Sequence, residues 1–325
     1  MKKFKLAAVA GALALVAASA QASIITISPE GNGTTISVGS LDWAANSVLV
    51  TPVTGTNAAQ PAVGDILQSY AQAALSGFLD ANGDNIGVNG LNSSFEWTFV
   101  AGFREEVTSR SVGIDPVTLL PTGVDTLELK TLAGGDNFFK VYASAKNANA
   151  LAGTGYADGT LIMSGQIQPF NASTNRGLTV FATSGNALIS DLDKSANGND
   201  YPGLKSVTGS GSATVDALVQ YVNKDYFADY PTGLNVGDLL SLFLDTQAND
   251  PFTQANPSAL FTKGDGSTVA GASLPSLGNV NGVSGPNFML QSDATSNFNV
   301  PEPTSMALAG LAMAGLGLSR RRTAK

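Results

Sequence analysis

The chain has 325 residues, a formal charge of -8, only 13% charged residues, and neither cysteine nor histidine. Those two absences exclude a disulfide framework, Ser-His-Asp and Cys-His catalysis, His/Cys zinc sites and histidine pH switching. A hydrophobic content of 43% is near the globular average, so a packed core is expected rather than disorder.

In chain order, the first segment is MKKFKLAAVAGALALVAASAQA. Lys2, Lys3 and Lys5 precede an uncharged run, Leu6 to Ala18, and Ala20-Gln21-Ala22 is a small-x-small site before Ser23. Charge, apolar run and small-residue site, in that order, describe a secretory signal peptide over residues 1–22, the substrate of a signal peptidase. The cationic start stays cytoplasmic while the apolar run enters the membrane.

Between Ser23 and Asn299 there are ten Lys and Arg against 24 Asp and Glu, a balance of -14. Nucleic-acid binding rests on basic side chains neutralising phosphates, so no nucleic-acid partner is expected. Adhesion to anionic lipid is disfavoured for the same reason. The balance suits a soluble surface protein, or one that gathers divalent cations.

SIITIS (23–28) and Thr34 to Val38 flank a Gly-Asn-Gly turn and predict a hairpin. SVLVTPVT (47–54) predicts a strand with Pro52 at an edge or end. VGDILQSYAQAALSGFLDANGDN (63–85) is ambiguous. Leu67, Tyr70, Ala71, Ala74 and Phe78 share a helical face, yet Val63-Gly64-Asp65 recurs as Val236-Gly237-Asp238 before an apolar pair, which favours a turn feeding a strand. SFEWTFVAGFREEVT (94–108) alternates Phe95, Trp97 and Phe99 with polar residues, the period of a half-buried strand. Gly102 predicts a bulge or bend within it.

Further strands are expected at 125–131, 137–145, 160–167, 178–182, 212–222 and 239–244, separated by Gly/Asn/Asp-rich turns. From Gln254 onward large apolar residues are few, and residues 293–300 are expected to form an exposed linker. The fold class is all-β: a sandwich-like, jelly-roll-like extracellular body over 23–299 with long Gly/Asn/Ser-rich loops. A signal helix precedes it and a short hydrophobic helix follows.

Two Asx-rich loops carry half of a calcium-loop pattern. Asp80, Asn82 and Asp84 follow D-x-N-x-D, but Asn85 stands in the sixth position and Leu91 in the twelfth. Asp193, Ser195 and Asn197 repeat the spacing with Gly198 sixth and Leu204 twelfth. Calcium at either loop stands beside the plainer reading of an Asx-rich turn; no other cofactor is expected. Glu96, Glu105 and Glu106 are candidates for the carboxylate pair of a glycoside hydrolase, against the plainer reading of solvent-facing strand positions near Arg104. Trp43, Trp97, Tyr70 and Tyr142 are either sugar-stacking platforms or core residues, and core is favoured. No catalytic residue is assigned.

The tail is VPEPTSMALAGLAMAGLGLSRRRTAK (300–325). Met306 to Leu318 is wholly apolar or glycine. With Ser305 and Ser319 it makes a helix of about 22 Å, short of a hydrocarbon core of about 30 Å. Arg320, Arg321 and Arg322 belong on the cytoplasmic side. Val300, Pro301, Glu302 and Pro303, then the apolar segment, then the arginines, resemble the PEP-CTERM sorting signal of Gram-negative bacteria. The resemblance implies recognition by an exosortase, brief anchoring at the inner membrane, removal near Pro-Glu-Pro, and delivery to the cell surface or matrix.

The body also resembles the flocculation-associated PEP-CTERM proteins, through EWTFVAGFREEVTS (96–109), NFFKVYA (137–143), LAGTGYADGTLIMSG (151–165), NDYPGLKSVTGSGSATV (199–215) and DYF (225–227). That likeness implies a β-rich secreted protein that promotes flocculation or biofilm aggregation with exopolysaccharide or another matrix polymer. The expected function is therefore a non-enzymatic structural protein. A carbohydrate-binding module is the alternative, and a carboxylate-dependent hydrolase the third reading.

Overall fold

The computed structural model describes residues 23–55, 58, 60–114, 117–118, 121–184, 190–195, 205–229, 233–269 and 286–299. The signal segment with Ala20 and Ala22, and the tail with Val300, Pro301, Glu302, Pro303 and the three arginines, lie outside these, as do the terminal helices expected there.

The described residues form strands β1 (Ile25–Ile27), β2 (Ile36–Val38), β3 (Ser40–Pro52), β4 (Ile66–Leu79), β5 (Asn85–Ile86), β6 (Phe95–Ile114), β7 (Pro121–Thr131) and β8 (Phe138–Ala145). They continue with β9 (Thr160–Ile167), β10 (Leu178–Thr183), β11 (Ser190–Asp191), β12 (Lys205–Ser206), β13 (Gly209–Val222), β14 (Leu239–Asp250) and β15 (Phe288–Asn299). The all-β, sandwich-like class holds, and β1–β2 is the predicted hairpin, with Ile25 opposite Val38. The ambiguous 63–85 segment is a strand: β4 pairs with β3 on one side and β6 on the other.

The sheet closes on itself. β7 and β8 run in line along β6, and β9 and β10 run in line along β13, with β7 paired to β10 and β8 to β9. The ring then proceeds β13–β14–β15–β3–β4 and returns to β6. Ring order follows chain order, so the connectivity is a meander and not the jelly-roll-like one expected.

Alternation decides what lies inside. Along β6, Trp97, Phe99, Ala101, Phe103, Glu105 and Val107 point inward, where they meet Leu41, Trp43 and Val48 of β3 and Leu240, Leu242 and Leu244 of β14 in one core. Trp43 meets Phe99 edge-on at 4.9 Å and Phe78 meets Trp97 at 5.1 Å. The end at which β15 stops is plugged by the β1–β2 hairpin, with Ile25, Ile27 and Phe227 fully buried. A second cluster lies outside the ring. Leu49, Tyr70, Val100, Phe138 and Met289 face outward and are covered by Tyr156, Leu192, Phe252, Phe261 and Val269.

The covering strap, 251–269, is held by specific bonds. Gln291 Oε1 accepts the N–H groups of Thr253, Gln254 and Ala255 at 3.1, 2.7 and 3.0 Å. Gln72 Nε2 donates to Leu260 O at 3.0 Å. The strap lies so close to Gly153, itself at φ +69°, that a Cβ there would sit 2.1 Å from Leu260 O.

Two expectations are corrected. Residues 293–299 are not an exposed linker: they finish β15 between β14 and β3, with Phe298 and Ser296 fully buried. Gly102 marks no bulge either, because the register passes through it unbroken toward both β4 and β8. Its role is close approach: a Cβ there would lie 2.5 Å from the Phe138 ring and 2.7 Å from Asp136 O. Gly102→Ala is therefore expected to destabilise the protein by about 1–3 kcal/mol through overpacking. A denaturant titration checks it, and an unchanged midpoint would remove the steric account. Pro52 sits at the end of β3, opposite Leu67, as expected.

Candidate functional site

The junction between the body and the tail is built by β15. Asn299, its last residue, pairs with Leu239 of β14. On the other flank Ser23 N–H donates to Phe298 O at 2.9 Å. The residue after the predicted signal peptide and the residues before the tail thus sit side by side.

A polar chain runs across the outer face to this junction. Ser241 is opposite Asp216 on one side and Asn297 on the other, so the two-residue period brings Asn299 to its diagonal. Asn299 Nδ2 donates to Ser241 Oγ at 2.5 Å, and the Ser241 hydroxyl donates to Asp216 Oδ1 at 2.6 Å. Arg176 Nε lies 4.0 Å from the same Asp216 oxygen, with its guanidinium 4.7 Å from the centre of the Phe243 ring. Beside this chain is a cleft of about 410 Å³ lined by Gln168, Phe170, Asn171, Arg176, Asp216 and Leu239. None of these residues stood out in the sequence. The available signal was Asp216, the lone acid in the predicted strand 212–222.

The calcium candidates fall at opposite ends of the ring. Asp80 Oδ1 accepts the N–H groups of Asp84 and Asn82 at 3.0 and 2.7 Å. Those bonds, from Asp84 first and Asn82 second, hold its carboxyl below the usual range. The group closes the β4–β5 turn, and Asn82 and Asp84 are exposed. Asp193 Oδ1 accepts Ser195 N–H at 2.8 Å, and Ser195 Oγ donates to Asn256 Oδ1 at 2.9 Å. Asp193 is buried and its Oδ2 has no hydrogen-bond partner. Asn197 lies outside the described residues. Among the described residues no group of three or more Asp or Glu is gathered as a metal would require.

The three glutamates part company. Glu96 and Glu105 were expected at solvent-facing positions, yet both are buried. Glu96 Oε1 accepts Asn147 and Ala148 N–H at 2.7 and 2.8 Å and so ties down the β8–β9 loop. Glu105 points into the ring, on the opposite face of β6, while Glu106 is half-exposed beside it. Nine strand residues separate Glu96 from Glu105 by about 30 Å, whereas a glycosidase pair needs about 5–9.5 Å. These two do not form one.

Glu105 instead lines a cavity of about 70 Å³ toward the end away from the plug, walled by Val50, Leu67, Phe103, Leu129, Phe181 and Phe288 among others. Thr179 and Ser69 hydroxyls donate to its carboxyl. Burial raises its pKa to about 7, and those two bonds lower it only in part. Continuing the Trp97–Phe99 alternation by three steps would have found it.

The aromatic candidates are packing residues. Trp43 and Trp97 are fully buried, with their indole N–H groups donating to Ser296 Oγ at 2.7 Å and Pro29 O at 2.8 Å. Tyr70 lies under the strap, its hydroxyl pushed up to about 12 by burial and then by Asp136. Tyr142 is partly buried against the same outer cluster.

Neither the curated proteins nor the solved structures offer a match to the chain. Among the described residues no helix is long and apolar enough to cross a membrane. Residues 299–322 match the PEP-CTERM protein-sorting motif, beginning at the last residue of β15. That motif implies exosortase processing and export toward the surface of Gram-negative cells, so the chain carries a PEP-CTERM sorting motif at residues 299–322.

Proposed function

We propose that the body is a non-enzymatic structural component of the cell surface or exopolysaccharide matrix, which promotes flocculation or biofilm aggregation by bridging polymer chains. The observation that carries this reading is the union of the sorting motif with a body of charge -14. An acidic, polar surface contacts hydrated polymer through many weak hydrogen bonds, and divalent cations bridge its carboxylates to those of an acidic polysaccharide. Both tryptophans are buried in the core, which favours this over sugar recognition by tryptophan stacking platforms.

Deleting residues 300–325 is expected to abolish surface delivery and flocculation while leaving the body folded. Cell fractionation and a settling assay read both. Unchanged flocculation with the protein lost from the surface would end the matrix role and leave the sorting assignment standing.

A further inference from the structure

The residues that join the body to its two apolar sorting segments leave from one end of the ring. Ser23 N–H is bonded to Phe298 O, and Asn299 is the last paired residue of β15. Only five residues, Val300 to Thr304, separate Asn299 from the segment beginning Ser305-Met306. Five residues span no more than about 18 Å even when fully extended. The headgroup region beyond the hydrocarbon takes up about 5–8 Å of that. Because 293–299 belong to a central strand and not to a linker, no further slack exists.

Exposed apolar side chains surround the exit point. Ile24 is 54% exposed next to Ser23, Val236 is 66% exposed in the turn leading into β14, and Leu239 is 36% exposed opposite Asn299. Acidic side chains also occupy this end: Asp80, Asp84, Asp225 and Asp229, with Asp229 paired to Lys224 at 3.4 Å. Anionic headgroups repel such loops.

We propose that the plugged end of the ring is held against the bilayer while the tail is inserted, with Ile24, Val236 and Leu239 as its lipid-facing contacts. The contact exists because the tether is short. Once the tail is cut, the acidic loops leave the body no affinity for the anionic surface, and it departs. The exosortase therefore meets its substrate with the folded body already seated at the membrane.

The proposal rests on the tail's insertion, and the test separates the two. The chain has no cysteine, so single replacements take a fluorophore cleanly. Ile24→Cys, Val236→Cys and, at the opposite end, Val63→Cys would be labelled in full-length protein. The labelled proteins would be reconstituted into phosphatidylethanolamine/phosphatidylglycerol vesicles that carry headgroup nitroxides. Labels at Ile24 and Val236 are expected to be quenched roughly threefold more than at Val63, which lies a strand length of about 45 Å away. Inserting twenty Gly/Ser residues between Asn299 and Val300 should bring them down to the level of Val63. Equal quenching at both ends, or quenching that survives the long linker, overturns the seated orientation. Protein that fails to float with the vesicles overturns the insertion on which both readings depend.

Discussion

A chain ending at Ser292 is expected to be unfolded, whereas one ending at Asn299 keeps the cooperative melt of the full body. The seven residues between them look expendable by composition: Asp, Ala, Thr, Ser, Asn, Phe, Asn. In the fold they hold two ladders at once. Leu239–Asp245 of β14 pair with them on one side, and Ser40–Trp43 of β3 on the other. Losing Phe298, fully buried, costs about 3–5 kcal/mol by itself. Removing Ser296 strips the Trp43 indole of its acceptor, which adds about 1–3 kcal/mol. The ring is opened as well. Against a total stability of about 5–15 kcal/mol for a typical domain, the sum is fatal. Far-UV circular dichroism and thermal melts of 23–292 and 23–299 decide it. Matching melts would mean that β15 contributes nothing past Ser292.

Glu105→Gln is expected to stabilise the protein at pH 8 and to do nothing at pH 4. The Glu105 pKa stands at about 7 in the fold, raised by burial from its ordinary value of 4.5. Below about pH 4.5 the group is neutral in both folded and unfolded chains, so its contribution to stability is fully present. As pH rises the unfolded chain releases the proton first, and the folded chain loses stability until the buried carboxyl also ionises, near pH 7. Above that the penalty is constant, about 3 kcal/mol for a shift of this size. Gln keeps the shape and a hydrogen-bonding head beside Thr179 and Ser69 but carries no charge. The variant should therefore melt roughly 5 °C higher than the parent at pH 8 and at the same temperature at pH 4. Parallel curves across the range would show that the cavity hydrates the carboxylate.

Local pattern exposed a great deal of this fold. Trp97 and Phe99 alternating with polar neighbours announced β6, and the Gly-Asn-Gly turn announced the first hairpin. What local pattern hid were positions whose environment is set from far along the chain. Ser296 and Ala294 are small because the Trp43 indole occupies the space beside them, and that indole is 253 residues distant from Ser296. Composition alone therefore reads the segment as linker. The strap shows the same effect: Phe252, Phe261 and Val269 are sparse along the chain, yet they gather over Tyr70 and Met289, which no periodicity within 251–269 reveals. At the junction, the motif beginning at Asn299 was legible because a protease reads it as a linear string. The chain Arg176–Asp216–Ser241–Asn299 was not, since register brings it together from four separate segments.

Ring closure has a consequence for any network these molecules would build in the proposed matrix role. Every long strand, from β3 through β15, has a hydrogen-bonded neighbour on each side. Among the described residues, the stretches paired on both sides offer no vacant N–H and C=O groups to recruit another copy; one-sided pairing is confined to strand ends such as β6 beyond Val107 and β14 beyond Asp245. Amyloid-type stacking on the body of the ring is thereby disfavoured while the fold is intact. A network built from these molecules is then stitched mainly by side chains and by whatever lies between them, and it should dissolve without unfolding its parts.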